Sequence, residues 1–199
     1  MISFTTAIIQ HLTLAYSGFL ISAVIGIGGA VVAVRWSLMR AILISGSSLL
    51  QSIPAFTIVA LVVPFLGIGF TPAVVVVFVT TLLPVLRNAT IGLSSTDPVL
   101  IDASVGMGLS FCQTIRFVRF PLAIRPIFSG LRLSSIVANS VAVVTVFIGS
   151  GGLGAIVLEG LVRFHIPGIL AGVIPAMIIA LLADFLLGRL EEFCAPRFH

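Results

Sequence analysis

LTLAYSGFLISAVIGIGGAVVAV, residues 12–34, is an uncharged apolar run long enough, as a helix, to cross a hydrocarbon core of about 30 Å. Comparable runs follow at 41–66, 71–93, 126–148 and 166–187. Only 8% of the 199 residues are charged, whereas a soluble chain carries roughly a quarter. The sequence therefore predicts an all-α membrane protein with about five transmembrane helices, forming a single domain over residues 1–199.

The arginines indicate how the chain is oriented. All ten basic residues are arginine, and only Arg163 falls on the opposite side of the membrane from the others when the spans alternate in direction. Positively charged loops are retained in the cytoplasm, so the amino terminus is predicted outside and the carboxyl terminus inside. The same retention explains the net charge of +4 without nucleic acid, because the arginines form no single stripe. The cytoplasmic group comprises Arg35, Arg40, Arg87, Arg116, Arg119, Arg125, Arg132, Arg189 and Arg197.

The longest polar segment, at about residues 94–125, joins the third and fourth spans. Asp97, followed by proline, is a typical helix start. A short helix is therefore predicted over 98–105. Gly106 and Gly108 can adopt the positive φ that ends a helix, so a glycine turn follows it.

A second helix is predicted after this turn. Ser110 is followed three residues later by Gln113, which matches the capping-box pattern at a helix N-terminus. Proline disfavours helical geometry in the residue before it, so this helix is predicted to end before Pro121. The segment is thus expected to form a helix-turn-helix beneath the membrane, on the cytoplasmic side.

The stretch IDASVGMGLSFCQTIRFVRFP, residues 101–121, resembles the cytoplasmic signature of inner-membrane permeases of bacterial ABC importers. That signature is Glu-Ala-Ala, three residues, Gly, nine residues, then Ile-x-Leu-Pro. The spacing matches throughout, with Asp in place of Glu, Ser in place of the second Ala, Val in place of Ile and Phe in place of Leu. The resemblance implies a MetI-like fold and a coupling loop that docks on an ATP-binding subunit. The residues it assigns to that loop are Asp102, Ala103, Ser104, Gly106, Gly108 and Pro121.

Three further stretches, at 51–69, 82–98 and 147–154, are similar to the osmoprotectant branch of these permeases. That similarity implies a permease subunit for glycine betaine, choline, carnitine or a related solute in the bacterial cytoplasmic (inner) membrane. The implied partners are an ATP-binding subunit dimer, an extracytoplasmic solute-binding protein and a second permease copy or a related permease. A permease for another small solute, such as methionine, remains an alternative. A secondary transporter is less favoured, because no ionisable residue lies deep in a span.

The sequence does not predict an enzyme, a bound cofactor or a metal site. The chain has no lysine, and a P-loop needs one to reach the nucleotide phosphates, so ATP is expected to be used by the partner. GSGGLG at 149–154 lacks the βαβ context of a dinucleotide site and is predicted to form a turn at the outer end of span four. His11, His165 and His199 share no metal-ligand spacing and are interpreted as ordinary loop or terminal histidines.

Polar residues interrupt two of the predicted spans. Gln51, Ser52 and Pro54 lie in the second span, and Asn139 and Ser140 lie midway along the fourth. Polar groups are costly in hydrocarbon unless they face protein or a water-filled path. They are candidates for lining the translocation pathway, although hydrogen bonds that join helices would explain them equally well.

Asp184 lies near the cytoplasmic end of the last span, at a depth similar to that of Arg87 and Arg132. Arginine can reach the interface by extending its side chain, so these residues need not form a site. A pairing of Asp184 with one of the two arginines is consistent with their depth.

Overall fold

The computed structural model describes residues 3–195, which contain helices and turns and no strand. Arg197 and His199 lie outside the described residues. A π-helical turn at Ile115–Arg119 joins α6 to α7, and a 3-10 turn at Thr145–Ile148 follows α7. The helices are α1 Phe4–Arg35, α2 Ser37–Ser52, α3 Ala55–Leu66, α4 Phe70–Ser94, α5 Pro98–Gly106, α6 Phe111–Thr114, α7 Phe120–Val144, α8 Leu153–Val162 and α9 Ile166–Cys194.

Among residues 3–195, four helices are long and apolar enough to cross a membrane: α1, α4, the continuous helix Phe111–Ile148 and α9. The remaining predicted span, 41–66, forms α2 and α3, which meet at a bend of 99°. The bend lies at Ile53 and Pro54, where Ile53 adopts extended backbone (φ −77°, ψ 126°) as expected for a residue before proline. Counting the bent pair as one span gives five, in agreement with the sequence.

Helices α1, α4 and α7 form the centre of the bundle, where glycines allow close approach. A Cβ on Gly18 of α1 would lie 2.7 Å from the Val77 side chain of α4, and one on Gly130 of α7 would lie 2.8 Å from the Pro84 carbonyl oxygen of α4. Small residues at helix contacts are typical of membrane bundles, in which dispersion between closely packed helices replaces the hydrophobic effect. These three helices therefore form the closely packed centre of the molecule.

Helix α8 lies in what the hydropathy profile predicts as the connection between the last two spans. It packs on the first turns of α9, where Gly160 and Gly172 leave room for Ile169 and Val157 respectively. The connection is thus a short apolar helical hairpin and not an extended loop. Its tip is exposed, with Phe164 93% accessible.

Candidate coupling loop and membrane pathway

The first loop helix, α5, matches the predicted helix closely. The Asp97 side chain accepts a hydrogen bond from the Val99 N–H (2.9 Å), so it caps the helix as expected. The prediction for Gly106 is wrong in one respect: this residue is the last of the helix and does not adopt positive φ. Gly108 alone among residues 98–110 takes that conformation, with φ +80°. The chain therefore reverses at Gly108.

One face of α5 is free of contact with the rest of the chain. Asp102 and Ala103 are exposed, and so are the apolar side chains of Val99 (71%), Val105 (63%) and Met107 (73%). These residues lie outside the membrane-spanning helices, so lipid tails do not explain their exposure. An apolar surface of this kind, with one carboxylate beside it, is typical of a protein contact site.

The other side of α5 is anchored by Ser104, which is fully buried. Its hydroxyl donates to the Ile101 carbonyl (2.7 Å) and lies 3.2 Å from Thr114 Oγ1. Thr114 is the last residue of α6. The motif residues Asp102, Ala103 and Ser104 are therefore divided, with two facing outward and one facing the bundle.

The second loop helix begins at the predicted capping box. The Ser110 N–H donates to Gln113 Oε1 (2.8 Å), and the Gln113 N–H donates to Ser110 Oγ (3.4 Å). The prediction that this helix ends before Pro121 is wrong, because the helix continues without a break to Ile148. A π-helical turn precedes the proline, with the Phe120 N–H bonded five residues back to the Ile115 carbonyl. This wider turn accommodates the proline ring, which would clash with a carbonyl in regular α-helix.

Two contacts fix the base of the loop to other helices. Arg119 Nη1 donates to the Leu93 carbonyl at the end of α4 (3.0 Å). The guanidinium of Arg35, at the end of α1, lies 5.0 Å from the centre of the Phe111 ring. Both arginines belong to the predicted cytoplasmic group, so here they also serve as structural contacts.

The polar residues of the second span lie at or beside the bend between α2 and α3. Gln51, Ser52 and Pro54 are all exposed, and the Ser52 hydroxyl donates to the Leu49 carbonyl (2.7 Å). A bend at membrane depth exposes backbone groups, which is tolerated where they are covered by protein or line a hydrated path.

Asn139 has a different environment, since only 2% of it is exposed. Its Nδ2 donates to Tyr16 Oη (3.0 Å) and to the Ser135 carbonyl (2.9 Å), so it joins α7 to α1. Ser140, its neighbour, is exposed and donates to the Ile136 carbonyl. Both residues line a cavity of about 380 Å³ between α7 and α9, and the residues of the α2–α3 bend are not part of its lining. The structure therefore does not bring the two groups of pathway candidates together.

The interpretation of His11 as an ordinary loop or terminal histidine is wrong. Because α1 begins at Phe4, His11 lies two turns inside this helix, and it is fully buried under the backbone of Gly152. Neither of its ring nitrogens has a hydrogen-bond partner within residues 3–195. Next to it, Gln10 Oε1 accepts from the Gly152 N–H (3.1 Å). No sequence signal marked this burial, which depends on the glycine turn predicted at 149–154.

Residues 22–198 match the family described as the inner membrane component of binding-protein-dependent transport systems. The chain belongs to this family. It is therefore a multi-pass membrane permease subunit.

Relatives of this permease cover nearly all of its length. The carnitine transport permease OpuCB of Listeria monocytogenes is 36% identical over 94% of this chain and 86% of its own. The osmoprotectant import permease OsmW of Salmonella typhimurium is 33% identical over 94% and 90%. The choline transport permease OpuBB of Bacillus subtilis is 30% identical over 94% and 86%.

The permease has the MetI-like fold. A chain of the MetNI methionine ABC transporter, in an inward-facing conformation, superposes on it with a TM-score of 0.82 over 94% of both chains, at 21% identity. This likeness concerns the arrangement of helices only. It agrees with the all-α membrane fold predicted from hydropathy.

The permease holds its last span in place with an ion pair. Arg132 of α7 donates to both carboxylate oxygens of Asp184 in α9, from Nε (2.7 Å) and Nη2 (2.9 Å), and Glu191 lies 3.7 Å from Nη1. The pairing of Asp184 with an arginine is thus confirmed. A bidentate arrangement fixes direction as well as distance, so it sets the register between the two helices.

Proposed function

We propose that this permease forms the membrane pathway of an ATP-driven importer for quaternary-ammonium osmoprotectants such as glycine betaine, choline or carnitine. The observation that carries this proposal is its kinship, at 30–36% identity over 94% of the chain, with permeases for carnitine, choline and osmoprotectants. The methionine transporter shares the fold at only 21% identity. An osmoprotectant is therefore favoured over methionine as the solute.

Coupling to ATP hydrolysis is proposed to occur through α5. Its outward face combines three strongly exposed apolar side chains with the carboxylate of Asp102. Apolar contact supplies area for a docking surface, and a carboxylate supplies a charge-assisted hydrogen bond to a basic partner group. An ATP-binding subunit dimer is the partner that this surface would engage.

A second permease chain is proposed to complete the pathway. In this chain, only 11% of the most apolar window of α9 is buried, so most of that helix is available to lipid or to another protein. About five spans enclose little space for a gated conduit. A second copy, or a related permease, and an extracytoplasmic solute-binding protein would together make up the importer.

The pathway residues are proposed to be those at the α2–α3 bend and those along the α7–α9 cavity: Gln51, Ser52, Pro54, Asn139 and Ser140. Neither group carries a charge. An uncharged lining is compatible with a solute such as glycine betaine, whose charges cancel. Asn139 also joins α1 to α7, so it would hold the wall of the pathway as well as face it.

Transport assays with the complete importer test the solute class. The permease, its ATP-binding subunit and its binding protein are expressed in a strain without other osmoprotectant uptake, and radiolabelled choline, carnitine, glycine betaine and methionine are supplied at high osmolarity. Uptake of at least one quaternary-ammonium solute, and none of methionine, is expected. Inactivation of the ATP-binding subunit should abolish this uptake.

Two results would contradict the proposal. Uptake of methionine, with no uptake of any quaternary-ammonium solute, would show that the permease belongs to an importer for methionine. Uptake by the purified permease alone, driven by an ion gradient in proteoliposomes, would favour a secondary transporter. A variant of the ATP-binding subunit that binds but does not hydrolyse ATP is the matched control for the first assay.

The orientation of the chain is tested through its own thiols. Cys112, in helix α6 of the coupling loop, is exposed. In a Cys194→Ser background, a membrane-impermeant maleimide is expected to label Cys112 in inside-out vesicles and not in intact cells, because the positive-inside rule places this loop in the cytoplasm.

The control is a cysteine on the opposite side. Replacing both native cysteines by serine and introducing Phe164→Cys, at the exposed tip of the α8–α9 hairpin, should reverse the pattern. Labelling of Cys112 from outside would overturn the orientation and, with it, the coupling role of α5.

A further inference from the structure

Helix α5 contacts the bundle through one buried side chain. Of residues 98–106, all of which the structure describes, only Ser104 is buried. Its hydroxyl proton is directed to the Ile101 carbonyl at 2.7 Å, so at the 3.2 Å contact with Thr114 the threonine hydroxyl is the donor. A chain of two hydrogen bonds therefore runs from Thr114 through Ser104 to the backbone of α5.

This chain of hydrogen bonds determines how α5 is held. Three of its four large apolar side chains, Val99, Leu100 and Val105, are exposed, and its tertiary contacts are chiefly with α6 and the π-helical turn. Little apolar area therefore fixes its position. A directional hydrogen bond between buried hydroxyls then sets the orientation of the helix, because rotating α5 would leave a buried polar group unpaired.

Thr114 lies near the start of the long helix that contains α7, so a movement of α5 at this residue would also move α7. It is 5% exposed and belongs to the continuous helix Phe111–Ile148. That helix has 38 residues and is about 57 Å long at 1.5 Å per residue. It includes α7, with Asn139 and Ser140 on its wall of the cavity. A displacement at Thr114 thus acts on the end of a lever that crosses the membrane.

We propose that the Ser104–Thr114 hydrogen bond transmits the position of α5 to α7, which makes Ser104 and Thr114 positioning residues of the transport cycle. The inference rests on the proposed function, in which an ATP-binding subunit engages α5. The permease signature that this loop resembles has alanine at the position of Ser104. The hydroxyl at this position, and its contact with Thr114, are features of this chain's own sequence and structure.

The test measures solute transported per ATP hydrolysed by the complete importer in proteoliposomes. Thr114→Val keeps the side-chain shape and removes the hydroxyl, whereas Thr114→Ser keeps the hydroxyl. Thr114→Val and Ser104→Ala are each expected to lower the ratio about two- to tenfold, the range for loss of one neutral hydrogen bond. Thr114→Ser should retain the ratio. The double variant should lose no more than Ser104→Ala alone, because Ser104→Ala already removes the contact with Thr114.

A matched control is Ser95→Ala, which removes another loop hydroxyl bonded to a backbone carbonyl, that of Gly92 at 2.9 Å. It should leave the ratio unchanged. An unchanged ratio in Ser104→Ala or in Thr114→Val, with the ATP-binding subunit still bound, would overturn the inference and leave the proposed function intact. If Thr114→Val fails to assemble, the Ser104→Ala variant alone tests the inference. The permease signature has alanine at this position, so Ser104→Ala is expected to fold and assemble. Failure of the unaltered permease to bind the subunit would instead overturn the proposed function.

Discussion

Gly108→Arg is expected to leave the permease folded and inserted in the membrane, while abolishing transport and the binding of the ATP-binding subunit. Gly108 ends the turn after α5 with φ +80°, and nothing lies within 4 Å of a Cβ placed there. The fold can therefore accept a side chain, at a cost of roughly 1–2 kcal/mol for left-handed backbone. The arginine would, however, place a bulky cation beside the docking face of α5. Copurification of the subunit and solute uptake are the two measurements.

Two variants separate the backbone effect from the blocking effect. Asparagine adopts left-handed backbone more readily than most other residues. Gly108→Asn should therefore retain most of the binding of the ATP-binding subunit. Gly106→Ala changes a glycine two residues earlier that is helical, exposed and has nothing near its Cβ position, so it should be silent. Normal solute uptake by the Gly108→Arg variant would contradict the proposal that α5 is the docking site for the ATP-binding subunit.

The second large effect is expected from Gly130→Leu, which should prevent the bundle from forming. A Cβ at this position would lie 2.8 Å from both the Pro84 carbonyl oxygen and the Asn88 Cβ of α4. Backbone cannot move aside as a side chain can, so α7 would be forced away from α4. The cost should exceed the ~3 kcal/mol upper end of ordinary overpacking. The yield of monodisperse protein and its melting temperature in detergent measure the loss.

Gly28→Leu is the control for Gly130→Leu. Gly28 lies in α1, is exposed and has no atom within 4 Å of a Cβ position. The same substitution there adds a side chain to a surface that is already exposed, with no neighbouring atom to displace, and the melting temperature should stay near that of the unaltered chain. Equal melting temperatures for the two variants would contradict the close packing of α4 on α7.

Structural features that depend on residues close together in the sequence were predicted well. The cap at Asp97 and the capping box at Ser110 depend on side chains reaching backbone groups two or three residues away, so composition and spacing are sufficient. Four of the five spans were equally accessible, because a long apolar run in lipid satisfies its backbone groups as a helix. The bend of 99° within the run at 41–66 was not predicted. The resemblance of residues 101–121 to a family signature then located the candidate docking loop.

Features that depend on distant residues were not accessible in this way. The burial of His11 arises because a glycine turn about 140 residues later packs over α1, and no local pattern in α1 signals it. Pro121 is a local exception: it is predicted to end a helix, but the π-helical turn just before it accommodates the ring. The division between outward Asp102 and inward Ser104 likewise depends on where α6 lies.

The Arg132–Asp184 pair has a consequence for how the chain is made. Its two members are 52 residues apart, so a ribosome delivers the arginine to the insertion machinery well before the aspartate exists. Until the last helix arrives, the guanidinium lacks the carboxylate that fixes it. A polypeptide that stops short of Asp184 therefore leaves Arg132 without the carboxylate that ties α7 to α9.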